Sequence, residues 1–323
     1  MKVYVKTPSR LHFGLIDIRG DLGRIFGSVG VAINKPNTIL KVENSDKIIV
    51  QGNQSKRIKD FAENFMRKKH VEGGCKIEAK QVIPPHVGLG SGTQTALATA
   101  TSISRLKGII SSTEELAGLT GRISVSSIGI QAFQTGGFIV DAGHKANYGD
   151  RSKKTRSKMA PVVFNNKFPE NWLFILVSQP NNIRTSGKKE KGAFNKLPEV
   201  SEEVAGKMCR LVFSGLVPSI IDSDIKSFGK ALTELDILTG RSFELSQGGI
   251  YSNESAEKCV NQMLKAGAAG AGQSSWGPTI YALTDNIKTA KKVISQLETL
   301  LGNLYDVSIV KANNNGATIR LIK

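Results

Sequence analysis

The sequence predicts an α+β protein of two domains. Three observations carry this. At 323 residues the chain is long for a single core. Its closing order of helix, loop, strand, helix, strand, strand suits an α+β sandwich rather than a doubly wound parallel sheet. Between residues 145 and 158 lie six basic residues and one acid with little apolar content, which reads as a connection. The boundary falls near Met159, giving domains 1–158 and 159–323.

Taken in order, residues 2–6 alternate as a strand, and Arg10, His12 and Asp17 then converge within one short piece of chain. Residues 39–42 and 47–50 read as strands paired around Asn44-Ser45-Asp46. Residues 59–70 form an amphipathic helix on Phe61, Ala62, Phe65 and Met66, and a further helix runs over 95–105. Ser112-Thr113-Glu114-Glu115 offers a capping box. Residues 129–141 read as a glycine-punctuated approach to a strand, and 172–178 as a buried strand. Helices follow over 201–214, 225–238 and 254–266, the last closed by Gly267, then a small-residue loop at 268–278. A strand at 279–283, a helix at 286–301 and strands at 306–310 and 317–322 complete the chain.

Composition narrows the partners. No apolar run approaches the ~18 residues of a membrane span, and no hydrophobic signal core opens the chain. Three separated cysteines, Cys75, Cys209 and Cys259, fit neither a disulfide framework nor a metal spacing, so reduced thiols in a cytoplasmic protein are expected. A net charge of +17 admits nucleic acid, a polyanionic small substrate or plain solubility. Aromatic content of 6% and the absence of a nucleic-acid motif argue against the first.

Residues 83–98 are the centre of the functional reading. They leave a strand, break at Pro84 and Pro85, cross Gly88, Gly90 and Gly92, and settle into an Ala/Leu helix. Glycines there let backbone approach a ligand, and the helix aims free N–H groups and its positive dipole end at an anion, most often phosphate. Gly88, Gly90, Ser91, Gly92, Thr93 and Gln94 are the candidate contacts, against the alternative of a simple strand–helix joint.

Residues 8–15, 84–98 and 270–283 together resemble the three motifs of the GHMP kinase superfamily, the middle one matching its P-x-x-x-G-L-G-S phosphate loop. The resemblance implies a two-domain GHMP-kinase-like sandwich with the active site in the interdomain cleft. Departures follow. The stretch from Gly129 to Gly137, where superfamily kinases usually carry a catalytic Asp, has no acid until Asp141, and the third motif continues as Gln273-Ser274-Ser275-Trp276-Gly277-Pro278-Thr279. With Ser9-Arg10-Leu11-His12-Phe13-Gly14-Leu15 and Gly136-Gly137-Phe138-Ile139-Val140-Asp141, this run resembles the β-ribofuranosylaminobenzene 5′-phosphate synthase family.

That resemblance implies a glycosyltransferase that joins phosphoribosyl pyrophosphate to a para-substituted benzoate, amino or hydroxy. It releases carbon dioxide and pyrophosphate on the way to methanopterin-type cofactors. It further implies a homodimer, and its chemistry fits Mg²⁺ on the substrate phosphates; composition already argues against nucleic acid or membrane as partner. An ATP-dependent small-molecule kinase is the alternative.

Among individual residues, Arg10 suits a forked contact to phosphate or carboxylate. His12, two positions on, offers a general acid or a carboxylate contact, or is simply structural. Asp17 holds metal or ribose, or caps its loop; Asp141 acts in the site or orients a loop. Arg184 and Lys188 could clamp a phosphate; Gln273, Ser274 and Ser275 read as ligand contacts; Trp276 stacks on the arene or plugs a gap.

Overall fold

The computed structural model describes residues 1–123, 127–147, 150–155, 158–178, 200–301 and 305–322, with backbone alone at 147 and 150–155. The amino-terminal strand runs well beyond residue 6, as β1 (Lys2–Ile16), so Arg10 and His12 stand in a strand. A short β2 (Arg24–Ile25) precedes β3 (Gly27–Ser45), which pairs antiparallel with β1 along its length. Next come β4 (Ile49–Gly52), α1 (Ser55–Lys68) and β5 (Gly74–Gln81). The pairing expected between 39–42 and 47–50 does not form. The α1 crossover lets β5 insert between them, antiparallel to β3 and parallel to β4.

Helix α2 (Ser91–Leu106) is followed by α3 (Thr113–Leu119), capped as expected by Ser112 Oγ, which accepts from the Glu115 N–H at 3.1 Å. The glycine-punctuated approach read from Gly129 begins instead as the helix α4 (Ser127–Gln134). Its Ile128 and Ala132 pack on Ala32 and Ile139, while Ile130 and Phe133 join the core beneath α2. Burial on two sides overrides the breaker signal of Gly129. Only Gly136 and Gly137, at φ 70° and 77°, break the chain into β6 (Phe138–Asp141).

The hairpin of β7 (His144–Asn147) and β8 (Asp150–Thr155) pairs with β2, and β9 (Val162–Asn166) pairs with β6. Strand β10 (Leu173–Ser178) leads, past undescribed residues, to α5 (Glu202–Arg210), a π-helical segment Leu211–Leu216 and α6 (Val217–Ile221). Helix α7 (Ile225–Gln247) is nine residues longer than its expected end at 238. Then come α8 (Glu254–Lys265), β11 (Gly270–Gln273), β12 (Ile280–Thr284), α9 (Ile287–Leu301), β13 (Asp306–Lys311) and β14 (Thr318–Ile322).

The architecture is the expected α+β one. A seven-stranded sheet runs β14-β1-β3-β5-β4, with β6 on β3 and β9 on β6; a four-stranded antiparallel sheet runs β11-β12-β10-β13. Two strands from beyond residue 158, β9 and β14, belong to the first sheet, so a cut at 158/159 separates in sequence strands that are neighbours in space.

The two sheets share an aromatic core centred on Phe13 of β1. Its ring centroid lies 5.3 Å from Tyr281, 6.1 Å from Phe174 and 6.5 Å from Phe138. Each such burial contributes roughly 1.5–3 kcal/mol, so β1 is clamped where the halves meet. The helix Glu202–Ile221 is long and apolar enough to cross a membrane by composition, an exception to the expectation of no such run. Its Met208, Val212, Leu216 and Ile220 are buried in this same core.

Candidate active site

The phosphate-loop reading acquires geometry at the start of α2. Gly88 and Gly90 both hold left-handed backbone, at φ 80° and 79°, and no side chain caps the helix. Thr93 N–H closes on Gly90 C=O at 3.1 Å, so the N–H groups of Ser91 and Gly92 are left to whatever lies in front. Two arginines flank this end. Arg57 of α1 donates to Ser91 Oγ at 3.3 Å, and Arg122 donates to Thr93 Oγ1 at 3.3 Å. A Cβ at Gly92 would sit 2.9 Å from an Arg57 guanidinium nitrogen and 3.0 Å from one of Arg122. Glycine here lets both cations close on the helix end. Burial pushes the Arg57 pKa down from its ordinary value, so this charge favours an anionic partner.

Behind the loop, Arg10 and Ser274 tie it to the rest of the site. Arg10 N–H donates to Leu89 C=O at 3.2 Å, and its guanidinium donates to Gly88 C=O. Ser274 Oγ donates to the same Gly88 carbonyl at 2.7 Å and accepts from His12 N–H at 3.0 Å. Ser275 N–H closes the connection on His12 C=O at 3.2 Å. A side chain at Gly88 would begin 2.3 Å from Ser274 C=O, so the two loops touch through backbone.

Next to Arg10 opens a cavity of about 130 Å³ between β1, β6, α7 and the loop after β11. Its walls are aromatic at Phe13, Phe26, Phe243 and Trp276, the last two meeting edge to face at 4.7 Å. Its polar groups include His12, Asp141, Asp236 and Ser275. Desolvation, then the charge of Arg10, pushes the His12 pKa down to about 3, which leaves a neutral imidazole at pH 7. That environment speaks against His12 as a cationic general acid.

Burial pushes Asp141 up to about 7, against hydrogen bonds from Gly143 and Ser28 that lower it. Burial pushes Asp236 up to about 8, against hydrogen bonds from Gln273 N–H and the Tyr281 hydroxyl. Carboxyl groups that titrate near neutrality inside a cleft are the kind that exchange protons with a ligand.

The structure thus brings Arg10, His12, Asp141, Ser275, Trp276 and the loop glycines together. It assigns other predicted contacts to scaffolding. Gln94 is fully buried and donates to Gly129 C=O at 2.7 Å, joining α2 to α4. Ser91 Oγ donates to Ile83 C=O, and Thr93 receives Arg122. Gln273 spends its amide on Ser252 N–H and Ser275 C=O, and Ser274 is fully buried. Asp17 caps its own turn, its Oδ1 accepting from the N–H groups of Arg19 and Gly20. Arg184 and Lys188 lie outside the described residues.

Sequence reading missed Arg57, Arg122 and Asp236. The two arginines have no spacing signal, because α1 and the turn after α3 bring them in from a distance. Asp236 did leave one, an acid inside the buried stripe of Phe228, Leu232, Leu235 and Phe243.

The anion-ready helix end beside a buried cavity, on two joined α+β sheets, defines a GHMP-fold enzyme. Residues 56–137 match the GHMP kinases N terminal domain, and residues 216–303 the GHMP kinases C terminal domain. Homoserine kinase from Cytophaga hutchinsonii superposes with a TM-score of 0.68 at 18% identity, covering 99% of this chain and 97% of that one, a likeness of fold.

Two curated relatives are beta-ribofuranosylphenol 5'-phosphate synthases. That of Methanocaldococcus jannaschii is 32% identical over 98% of this chain and 99% of its own length. That of Methanothermobacter thermautotrophicus is 32% identical over 88% and 89%. The chain belongs to the beta-ribofuranosylphenol 5'-phosphate synthase family of the GHMP kinase superfamily.

Proposed function

We propose that this enzyme transfers the phosphoribosyl group of phosphoribosyl pyrophosphate to 4-hydroxybenzoate, with loss of carbon dioxide and pyrophosphate, in methanopterin-type cofactor synthesis. One observation carries the reading: Arg10 donates to Gly88 C=O of the anion cradle and also lines the aromatic-walled cavity. A phosphorylated sugar and an aromatic acid placed side by side need such a junction. The phenol in the relatives' names favours the hydroxy over the amino acid as substrate.

In this reading the N–H groups at Ser91 and Gly92, with Arg57 and Arg122, hold phosphate oxygens. Arg10 neutralises the benzoate carboxylate or a neighbouring phosphate. Phe243 and Trp276 set the ring so that its carboxylate-bearing carbon faces C1 of the ribose. Alignment of two reactants is worth roughly 7–11 kcal/mol, and the cradle stabilises the pyrophosphate as it leaves.

Among the described residues no three His, Cys, Asp or Glu side chains gather as a metal site. We propose that a Mg²⁺ ion, where bound, would be held chiefly by substrate oxygens. When bound it shares the charge of the leaving group. We further place the enzyme in the cytosol, where the free Cys75, Cys209 and Cys259 stay reduced, and expect a homodimer.

The test is release of labelled carbon dioxide from carboxyl-labelled 4-hydroxybenzoate, dependent on phosphoribosyl pyrophosphate and Mg²⁺. No release, with ATP phosphorylating an alcohol instead, refutes the reading in favour of a kinase.

A further inference from the structure

We infer that Asp236 is the general base of the arene site, accepting the proton of the para-hydroxyl as the ring attacks. The inference rests on the substrate reading above and assigns a role to a residue which that reading leaves unused.

Placement comes first. Asp236, Thr239, Gly240, Phe243 and Gln247 line the cavity from one face of α7, at helical spacings of three and four. Asp236 is buried, and its neighbours are donors of modest strength: Gln273 N–H reaches both carboxylate oxygens at 3.1 Å, and the Tyr281 hydroxyl reaches Oδ2 at 3.2 Å. A carboxylate offers about four lone-pair directions, so room remains for a hydroxyl from the cavity.

The polarity of the cavity supplies the direction. Arg10 marks its cationic end, beside the phosphate loop. Four residues along β1, Gly14 meets α7 so closely that a Cβ there would lie 2.7 Å from Thr239 Oγ1. At about 3.3 Å per residue Gly14 lies at most roughly 13 Å along β1 from Arg10, and Asp236 lines the cavity from α7 between Leu235 and Thr239, the residues that meet Gly14. A para-hydroxybenzoate carries an anion at one end and a hydroxyl at the other. Its carboxylate belongs with Arg10 and its hydroxyl with Asp236, while Phe13, Phe243 and Trp276 face the ring.

The chemistry requires such a base. As the ring carbon bearing the carboxylate bonds to C1 of the ribose, the C1–O bond to pyrophosphate breaks and its electron pair leaves with pyrophosphate. The phenol proton passes to Asp236, so the ring becomes a neutral dienone rather than a cation. The bond to the carboxylate then breaks, carbon dioxide departs, and the electron pair restores the ring. The phenol oxygen recovers its proton from Asp236. No oxidant is consumed and the carboxyl group ends as it began. Burial raises the Asp236 pKa to about 8, so only its ionised fraction accepts the phenol proton, and turnover on 4-hydroxybenzoate should rise with pH toward that value.

The experiment compares wild type, Asp236→Asn and Asp236→Glu on 4-hydroxybenzoate and on 3,5-difluoro-4-hydroxybenzoate, whose hydroxyl is already ionised at neutral pH. Asp236→Asn should lose about 10²–10⁴-fold in kcat on the first and far less, relative to wild type, on the second; Asp236→Glu should retain most activity on both. Should the amide variant not fold, Asp236→Ser keeps an acceptor for Gln273 N–H without a base and takes its place. Equal losses on both substrates overturn the assignment, as does the same selective loss in Asp141→Asn with Asp236→Asn unaffected. If wild type releases carbon dioxide from 4-aminobenzoate alone, the base is overturned while a decarboxylating transfer stands. If it does so from no benzoate, the substrate reading itself falls.

Discussion

Two glycine-bordered loops meet through backbone at Gly88 and Ser274, and they use their polar groups in opposite ways. The loop from Gly88 into α2 leaves its helix end uncapped and gathers Arg57 and Arg122 around it. The loop from Gln273 to Thr279 turns inward. Ser274 bridges His12 and Gly88, Gln273 binds Ser252 and Ser275, and Thr279 C=O takes the Ser274 N–H. Both look like ligand loops in sequence. Only the first presents an uncapped helix end flanked by two arginines; the second holds the first in place and lends Ser275 and Trp276 to the cavity.

The sharpest way to break this contrast is Gly88→Ala. Its φ of 80° and a Cβ 2.3 Å from Ser274 C=O force backbone apart, since neither neighbour is a flexible side-chain end. The substitution should cost about 3 kcal/mol or more, read as a lower denaturant midpoint, with turnover lost. Unchanged stability would mean that the loops do not touch.

Ser274→Ala comes next. It deprives Gly88 C=O of one donor and His12 N–H of its acceptor, which should cost about 2 kcal/mol. kcat should fall with every benzoate alike, as befits a positioning residue. A loss confined to one substrate would make Ser274 a ligand contact after all.

The binding loop itself is tested by Arg57→Ala and Arg122→Ala. Each should raise the KM for phosphoribosyl pyrophosphate about 10-fold, in line with a charge-assisted hydrogen bond of roughly 1.5–3 kcal/mol partly screened by water. The effect should shrink as salt rises, and kcat should change little. A variant that alters the benzoate KM instead would move the cradle to the other substrate.

The smallest effect is in the pH dependence of stability. His12, held down to about 3 from an ordinary 6.5, stays neutral in the fold while the unfolded chain takes up a proton. Stability should therefore fall as pH drops from 6.5 toward 3. Asp236 and Asp141, raised from 3.8 to about 8 and about 7, hold protons that the unfolded chain has released. Their contribution should decline as pH rises from about 4 through those values. Each slope is at most about 1.4 kcal/mol per pH unit. Thermal melts of His12→Gln should flatten the acid limb, and those of Asp236→Asn the other; unaltered limbs would place these side chains in water.

What was legible in sequence follows from how local each signal is. The Gly88–Thr93 loop announced itself because left-handed glycines and an uncapped helix start are written in adjacent residues. Arg10 and His12 were legible for a similar reason: alternate positions of one strand share a face. Gln273 and Ser274 misled because composition tells that a loop is polar, not which way its side chains turn. Here the register of β11 on β12 and the packing of α7 turn them inward. The α4 segment misled because burial of Ile128, Ile130, Ala132 and Phe133 outweighs the cost of one helical glycine. Arg57 and Arg122 were out of reach, since only tertiary crossings bring them to Gly92.

The central claim is that the phosphate held at Gly88–Gly92 belongs to a ribosyl donor whose C1 becomes bonded to the arene. The direct measurement is ¹³C NMR of the product made from phosphoribosyl pyrophosphate labelled at C1 and 4-hydroxybenzoate labelled at the carbon bearing the carboxylate. The account predicts one-bond coupling between the two labels, with carbon dioxide and pyrophosphate released in equal amounts. A product with no such coupling, or one phosphorylated from ATP, would contradict it.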